Sequence, residues 1–271
     1  MRKKLWSINF LFLIFFISNG YAGGGYSLLP KGTIKGMCVK YNDASFIDIT
    51  SGYCEANGKY YEVESTTTYE VDVNDIIGGK FTYVYIDDSG SNSITPSIMS
   101  TDDIPSWSDD KQGWYRKWTN DSKSTIVDDE DQNDRCIGVI FCETDYSIMK
   151  FDSVIEGNNV RVNTSKKIIR LLSGASGVGT WSSLNTHSDF VPENAVKSIL
   201  FGEVQQANGI CQIHLSSDEL KAFYNGVGAR GYLITDAIGA VVLGESRNIA
   251  WYTESDDHTV IIEVRGFVYT R

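Results

Sequence analysis

The chain has 271 residues, of which 42% are hydrophobic and 12% aromatic, enough to form the core of one large β domain or of two ordinary ones. Its formal charge is -11, and loss of the three basic residues at positions 2–4 with a leader leaves 21 basic against 35 acidic residues, or -14. A negative field of this size repels nucleic acid and anionic lipid, so we expect neither as a partner.

The first 22 residues have the pattern of a signal peptide. Basic residues at positions 2–4 precede an apolar block that is densest at Phe10–Ile17, and small residues follow at Gly20 and Ala22. The alternative is a membrane anchor, but the block is much shorter than the roughly 20 residues that cross a bilayer. We therefore predict cleavage after Ala22, no stable membrane insertion, and a mature protein that is secreted, extracellular or held in the cell envelope.

All five cysteines, namely Cys38, Cys54, Cys136, Cys142 and Cys211, lie in the predicted exported part, where disulfides can persist. Cys136 and Cys142 occupy one predicted strand, roughly 20 Å apart at about 3.3 Å per residue, which is too far for a disulfide. Either could bond to Cys38 or Cys54, which could equally bond to each other. Because the number is odd, at least one is unpaired, and we expect it to be Cys211, as a small buried hydrophobe.

Residues 23–165 form the predicted N-terminal β module. Its segment 51–65, SGYCEANGKYYEVES, is typical of a hairpin whose two-residue turn is Asn57-Gly58. The later segment FTYVYID is apolar on both faces, which predicts a central strand. Across residues 87–134 the alternation disappears, and we expect an elaborate loop before strands resume at RCIGVIFCE.

A Gly/Ser-rich connection at residues 166–189 separates this module from a predicted C-terminal β-sandwich at residues 190–271, whose short apolar segments are spaced as in hairpins. Residues 216–226 predict a short helix, because Ser216 and Glu219 have the spacing of a capping box. The predicted fold class is therefore all-β, with two β-sandwich-like modules of short antiparallel strands and one short helix.

No group of residues has the pattern of an established catalytic or metal site. The glycines of GVGARG follow a predicted helix and precede a strand, the reverse of the order in a dinucleotide-binding motif. Ser176, His187 and Asp189 occur near one another without a nucleophile elbow. The acidic stretch Asp128–Asp134 could take calcium, but it lacks the EF-hand glycine and glutamate, so we expect a solvated loop. We predict a non-enzymatic protein with no cofactor and no bound metal.

The best binding candidate is the aromatic cluster in SWSDDKQGWYRKW. Its members are Trp107, Trp114, Tyr115 and Trp118, with Arg116 among them. Sugars present flat apolar C–H faces that stack on indole rings, and Arg116 and the neighbouring aspartates could bond their hydroxyls. The alternative is that the rings pin a long loop to the sheet through their large apolar areas. We predict these five residues as the ligand-binding site.

The order of motifs resembles modules of phage and prophage tail-fibre or tail-spike proteins. The resemblance is carried by CEANGKYYEVE, GGKFTYVYIDDSG, TPSIMSTDDIPSW, RCIGVIFCETDYSIMKF, SDFVPENAVKSILF and VIIEVRGFVYTR. It implies fold positions at Tyr85, Gly138, Pro192 and Gly266, and strand patterning also predicts a bulge at Gly266. It further implies homotrimeric, non-enzymatic β modules that contact a host surface, often a glycan. The predicted leader departs from virion proteins and suggests that an envelope or secreted protein has adopted such modules.

We therefore expect an exported, non-catalytic binding or structural protein at a cell or particle surface. The expected partner is a glycan or another cell-surface receptor, and the expected assembly is a homo-oligomer, for which the resemblance implies a trimer. The first alternative is a secreted polysaccharide hydrolase. The second is a purely structural subunit of an extracellular assembly, recognised only by neighbouring proteins.

Overall fold

The computed structural model describes residues 29–72, 77–88, 95–117, 133–175, 182–184, 190–206, 211–217, 227–231, 234–243, 245–253 and 258–271. The predicted leader, Trp118 and most of the acidic stretch lie outside these ranges. Within them, no helix is long and apolar enough to cross a membrane.

Regular structure in the described residues is almost entirely β-strand, which confirms the predicted all-β class. The strands up to residue 116 are β1 Ile34–Gly36, β2 Val39–Tyr41, β3 Phe46–Ile49, β4 Gly52–Ala56, β5 Lys59–Val63, β6 Thr67–Glu70, β7 Phe81–Asp87, β8 Ser97–Thr101, β9 Pro105–Ser108 and β10 Gly113–Arg116. Those that follow are β11 Arg135–Phe141, β12 Phe151–Glu156, β13 Asn159–Thr164, β14 Ile169–Ala175, β15 Ser182–Leu184, β16 Ala195–Gln206, β17 Cys211–Ser217, β18 Val227–Gly231, β19 Ile234–Val242, β20 Ile249–Thr253 and β21 His258–Thr270.

Two small antiparallel sheets begin the fold, with strand orders β1-β4-β5 and β2-β3-β6. The predicted hairpin turn between β4 and β5 is confirmed: Ala56 pairs with Lys59, and the two turn residues have positive φ, 49° at Asn57 and 81° at Gly58. Such φ values are the reason that Asn-Gly is favoured in two-residue turns.

The third sheet has five strands in the order β8-β7-β11-β10-β9. The predicted central strand, FTYVYID, is β7, and it lies between β8 and β11 with six of its seven residues buried. The expectation of one elaborate loop over residues 87–134 is wrong in part, because β8, β9 and β10 form within it. These strands have only four or five residues each, too few for an alternating pattern to stand out among Ser, Asp and Pro.

A close contact joins the five-stranded sheet to the small sheet that contains β2. The register of β11 shifts between Cys136 and Gly138, which marks a β-bulge. A Cβ added at Gly138 would lie 2.1 Å from Cγ2 of Val39, so only glycine lets the two sheets approach this closely. Gly138, singled out by the resemblance, is therefore a packing position.

The fourth sheet joins the two predicted modules. Its order is β12-β13-β21-β16-β19, with β14 also paired to β21. Strands β12 and β13 come from residues 23–165, whereas β16, β19 and β21 come from residues 190–271. The described part of the predicted connection, residues 166–189, contributes β14 and β15 and is therefore largely strand. The predicted bulge at Gly266 is confirmed by the register shift between β16 and β21.

The fifth sheet has the order β15-β20-β17-β18. Ser216, expected to cap a helix, lies in β17 and pairs with Ala250 of β20. The remainder of the predicted helix, residues 218–226, lies outside the described residues.

The core contains four unpaired cysteines, which contradicts the expected disulfide between Cys38, Cys54, Cys136 and Cys142. Two of the thiols contact hydroxyl groups. Sγ of Cys38 lies 3.4 Å from Oγ of Ser153, and Sγ of Cys142 forms a hydrogen bond with the Thr82 hydroxyl. Burial raises the pKa of both Cys54 and Cys136 to about 12, so these thiols are protonated and unreactive. The side chain of Cys211, on β17, lies outside the described residues.

Candidate functional site

The predicted aromatic site folds as a hairpin at one edge of the five-stranded sheet. Strand β9 is the edge strand, and it pairs with β10 so that Trp107 lies opposite Trp114 and Ser108 opposite Gly113. Paired residues point to the same face of a sheet, so the two indoles are neighbours. The connecting turn, residues 109–112, carries two exposed aspartates, Asp109 and Asp110.

Trp107 is the exposed ring of this hairpin. Its side chain is 43% exposed, and its ring meets that of Trp114 edge to face, with centroids 5.9 Å apart and an angle of 71° between the planes. The indole Nε1 donates a hydrogen bond of 2.9 Å to Oδ1 of Asp109. These two contacts fix the orientation of a large aromatic surface in solvent.

Trp114 is the inner ring of the pair. It is half-buried and packs against the hydrophobic core. Its Nε1 is buried and has no hydrogen-bond acceptor among the described residues. Trp114 therefore contacts both the ring of Trp107 and the core, and it exposes much less aromatic surface than Trp107 does.

Tyr115 points to the opposite face of β10 and is 2% exposed, so its ring is not accessible to a ligand. Its hydroxyl accepts a hydrogen bond of 3.3 Å from the backbone N–H of Asn57. The Lys111 ammonium and the Arg135 guanidinium lie 4.7 Å and 5.6 Å from its ring centroid, at cation–π distance. Contrary to the sequence expectation, Tyr115 anchors the hairpin to the turn between β4 and β5.

Arg116 forms ion pairs within the protein. Its side chain is 15% exposed, Nη2 lies 2.5 Å from Oδ2 of Asp103, and Nη1 lies 3.5 Å from Oδ2 of Asp134. Its Nε donates to the same Asp103 oxygen over 2.7 Å. The guanidinium therefore joins β10 to two neighbouring segments, and it is largely occupied by this role. The fifth predicted residue, Trp118, lies outside the described residues.

A buried polar cluster near the hairpin was not predicted from the sequence. Asp88, 5% exposed, accepts hydrogen bonds at Oδ1 from the Lys59 ammonium over 2.5 Å and from the Tyr61 hydroxyl over 2.6 Å. Its backbone N–H donates to Oδ1 of Asp134 over 2.8 Å. The only sequence signal is positional, since Asp88 directly follows β7 and Asp134 directly precedes the neighbouring strand β11. Burial and the bond to Asp88 raise the pKa of Tyr61 above its ordinary value.

The hydrogen bonds of this buried cluster are typical of a structural network. Asp88 accepts bonds from several donors of its own chain, which leaves little capacity for a substrate proton. Buried carboxylates with satisfied hydrogen bonds stabilise a fold and fix its geometry.

Within the described residues, no group of three or more His, Cys, Asp or Glu side chains is arranged to hold a metal ion.

A second buried group supports the hairpin from the face that carries Tyr115. Arg135 is fully buried, and its guanidinium donates to the carbonyl oxygens of Glu55, over 3.2 Å, and Gly32, over 3.0 Å. The Glu55 carboxylate in turn accepts from the backbone N–H groups of Gly32 and Gly58, over 2.8 Å and 2.7 Å. The β9–β10 hairpin therefore packs against the β4–β5 hairpin and the segment that precedes β1.

A groove of about 220 Å³ lies at the other edge of the same sheet, between β6 and β8. It is lined by Ile47, Tyr69, Glu70, Val71, Asp72, Ile98, Met99 and Ser100. Glu70 and Asp72 belong to one wall and are both exposed, whereas glycoside hydrolysis needs two carboxyl groups that flank the scissile bond. The residues that the structure describes around this groove do not have the arrangement of a glycoside hydrolase site.

No protein-family model matches the chain, and no curated protein matches it. The resemblance to tail-fibre modules therefore depends on the short motifs themselves.

Proposed function

We propose that the chain is an exported, non-catalytic binding protein that recognises carbohydrate through Trp107. The observation that carries this proposal is a solvent-exposed indole whose orientation is fixed by Trp114 and Asp109. A preoriented ring binds without losing rotamer freedom, and the apolar C–H face of a sugar ring matches its surface. The exposed carboxylates of the turn are acceptors for sugar hydroxyls.

One aromatic ring makes a weak site. We propose that several copies act together in a homo-oligomer, because linked sites gain avidity without any new contact. The motif resemblance to trimeric tail-fibre modules supports such an assembly at a cell surface.

The experiment that tests the proposal is binding of the mature chain to a glycan array, with Trp107→Ala as the variant and Tyr146→Ala as the matched control. Tyr146 is also an exposed aromatic residue, at 49%, but it lies in the turn after β11. We expect Trp107→Ala to lower binding at least tenfold and the control to leave it unchanged. Binding that is insensitive to Trp107→Ala, or release of reducing sugar from a bound polysaccharide, would contradict the proposal.

A second candidate, a structural subunit, is favoured by the edge strand β12. Val154 and Ile155 of this strand are 47% and 39% exposed although they are large and apolar. Exposed apolar residues on an edge strand favour pairing with another chain. If assembly depends on this edge, Ile155→Lys should convert an oligomer into a monomer in light scattering, whereas Tyr146→Lys should not. A chain that is monomeric before any substitution would exclude this role.

A further inference from the structure

We infer that the ligand of the Trp107 surface is an uncharged, hydroxyl-rich saccharide and not an acidic one, such as a uronic acid polymer. This inference rests on the proposed function, because it concerns the same surface. It follows from the hydrogen-bonding groups around the indole ring and from the partners of the nearby cations.

The group that lies at the polar edge of the indole is an acceptor. Oδ1 of Asp109 accepts a hydrogen bond of 2.9 Å from the Nε1–H of Trp107, and Asp109 is exposed. A carboxylate offers about four lone-pair sites, so one bond from the indole leaves capacity for further donors. A sugar hydroxyl seated on the ring can donate to this carboxylate in a charge-assisted bond. A ligand carboxylate or sulfate at the same place would meet a like charge.

The two cations of the hairpin, Arg116 and Lys111, are engaged by groups of the protein itself. Arg116 is held by Asp103 and Asp134. The Lys111 ammonium donates to Oδ1 of Asn133 over 2.7 Å and lies over the ring of Tyr115, on the face of β10 opposite to the indoles. Neither is placed to neutralise an anionic ligand on Trp107.

Lys31 is a further cation beside the turn, and it does not make the local charge positive. Its ammonium donates to the backbone carbonyl of Asp110 over 2.9 Å. Lys111 lies in the same turn, so its ammonium and that of Lys31 balance the two exposed carboxylates of Asp109 and Asp110 in the formal charge around the turn. The carboxylate of Asp109 remains the charged group in contact with the indole, and the field of the whole chain is negative, with a formal charge of -11. The contact at the ring and the long-range field therefore both disfavour an acidic saccharide.

The test measures binding of the mature chain to four soluble probes, namely cellohexaose, maltohexaose, mannohexaose and hexagalacturonate, at 50 mM and 500 mM salt. We expect at least one neutral hexaose to bind, with tenfold or greater loss in Trp107→Ala and about threefold or greater loss in Asp109→Asn. We also expect its affinity to change less than twofold with salt, because no charge on the ligand is screened. Hexagalacturonate should bind at least tenfold more weakly than the best neutral probe.

The outcomes separate this inference from the proposed function. Binding of hexagalacturonate that is as tight as that of the neutral probes, and that is lost in Trp107→Ala, overturns the inference while the carbohydrate proposal stands. Binding that tightens in Asp109→Asn also overturns it, because the carboxylate would then oppose the ligand. If none of the four probes binds, or if Trp107→Ala leaves all binding unchanged, the proposed function and the inference both fail. Tyr146→Ala serves as the control for folding and for nonspecific loss.

Discussion

At the residue scale, the two indoles of the β9–β10 hairpin are chemically identical and structurally unequal. Trp107 lies on an edge strand with one neighbour, whereas Trp114 lies one strand further in and packs against the core. The first is available to a ligand, and the second contributes to stability. Any test of binding must therefore use Trp107, because loss of Trp114 would disturb the fold as well.

This difference predicts unequal effects on stability. Trp114→Ala should lower the free energy of unfolding by about 2–4 kcal/mol, because it removes a half-buried aromatic ring and leaves a cavity. Trp107→Ala should lower it by about 1 kcal/mol or less, because most of what it removes is exposed surface. Urea unfolding followed by circular dichroism measures both. Equal losses in the two variants would show that Trp107 is a packing residue and would count against the proposal that it binds a ligand.

The buried thiols predict how stability depends on alkaline pH. The pKa of Cys54 and of Cys136 rises through burial from an ordinary 9.0 to about 12 in the folded state. A raised pKa means that the unfolded chain releases its protons first, so the contribution to stability is complete below pH 9 and is lost as the pH rises towards 12. We expect the free energy of unfolding to fall across this window.

The measurement is urea unfolding between pH 7 and pH 12, with Cys54→Ala and Cys136→Ala as variants whose dependence on pH should be shallower. In the native state, Cys38, Cys54, Cys136 and Cys142 should resist alkylation at pH 8, and all four should react after denaturation. A disulfide between any two of them, detected by peptide mass spectrometry of the purified protein, would contradict the structure.

At the scale of elements, β14 is held to the long strand β21 by a charge cluster on the outer face of the sheet. Glu263 is 2% exposed, and its two carboxylate oxygens accept hydrogen bonds from Arg170, the shortest 2.8 Å, and from Arg265, the shortest 2.6 Å. Lys167 lies 3.5 Å away from the same carboxylate. Burial raises the pKa of Glu263, but the bonds from Arg170 and Arg265 outweigh it and hold the pKa below the ordinary 4.5.

We predict that Glu263→Gln lowers the free energy of unfolding by about 1–3 kcal/mol at pH 7, the range for hydrogen bonds to a charged group. Because the folded pKa is lowered, this contribution is present above pH 4.5 and is lost as the pH falls through the folded pKa. Wild type and variant should therefore converge in acid. The matched control is Glu143→Gln, whose partner Lys166 is 67% exposed, and it should cost less than about 0.5 kcal/mol. Equal effects in the two variants would contradict the buried role of Glu263.

At the scale of the whole molecule, the last strand ties distant parts of the chain together. Strand β21 pairs with β13, β14 and β16, and its Tyr269 hydroxyl donates to the carbonyl of Ile137 in β11 over 3.4 Å. The adjacent Arg271 guanidinium donates to the carbonyl of Gly36 in β1 over 2.5 Å. Buried residues of both predicted modules belong to one hydrophobic cluster.

These contacts predict that the segments 23–165 and 166–271 do not fold independently. Without β21, the strand β13 loses its inner partner and the core loses Phe267 and Tyr269, both fully buried. Each fragment alone should show no cooperative unfolding in urea, and mixing the two should restore it. A fragment 23–165 that unfolds cooperatively by itself would show that the sequence boundary is also a folding boundary.

The all-β class, the interior position of β7, the Asn57-Gly58 turn and the bulge at Gly266 could be predicted from the sequence. They depend on residues that are close along the chain, since alternation and turn chemistry are local properties. Pairing across long separations could not be predicted in the same way. Strand β21 reaches back to β13 and β16, and β8, β9 and β10 are too short to show a period.

For the candidate site, the residue types could be read from the sequence: a cluster of indoles and aspartates in an acidic chain. The packing of the strands, and no local pattern, determines that Trp107 is exposed, that Tyr115 and Arg116 are internal, and that the four core cysteines are unpaired. For the rings, this is because exposure depends on where a strand lies in its sheet. The same period-two pattern places an exposed ring, Trp107, on the edge strand and a half-buried ring, Trp114, one strand further in.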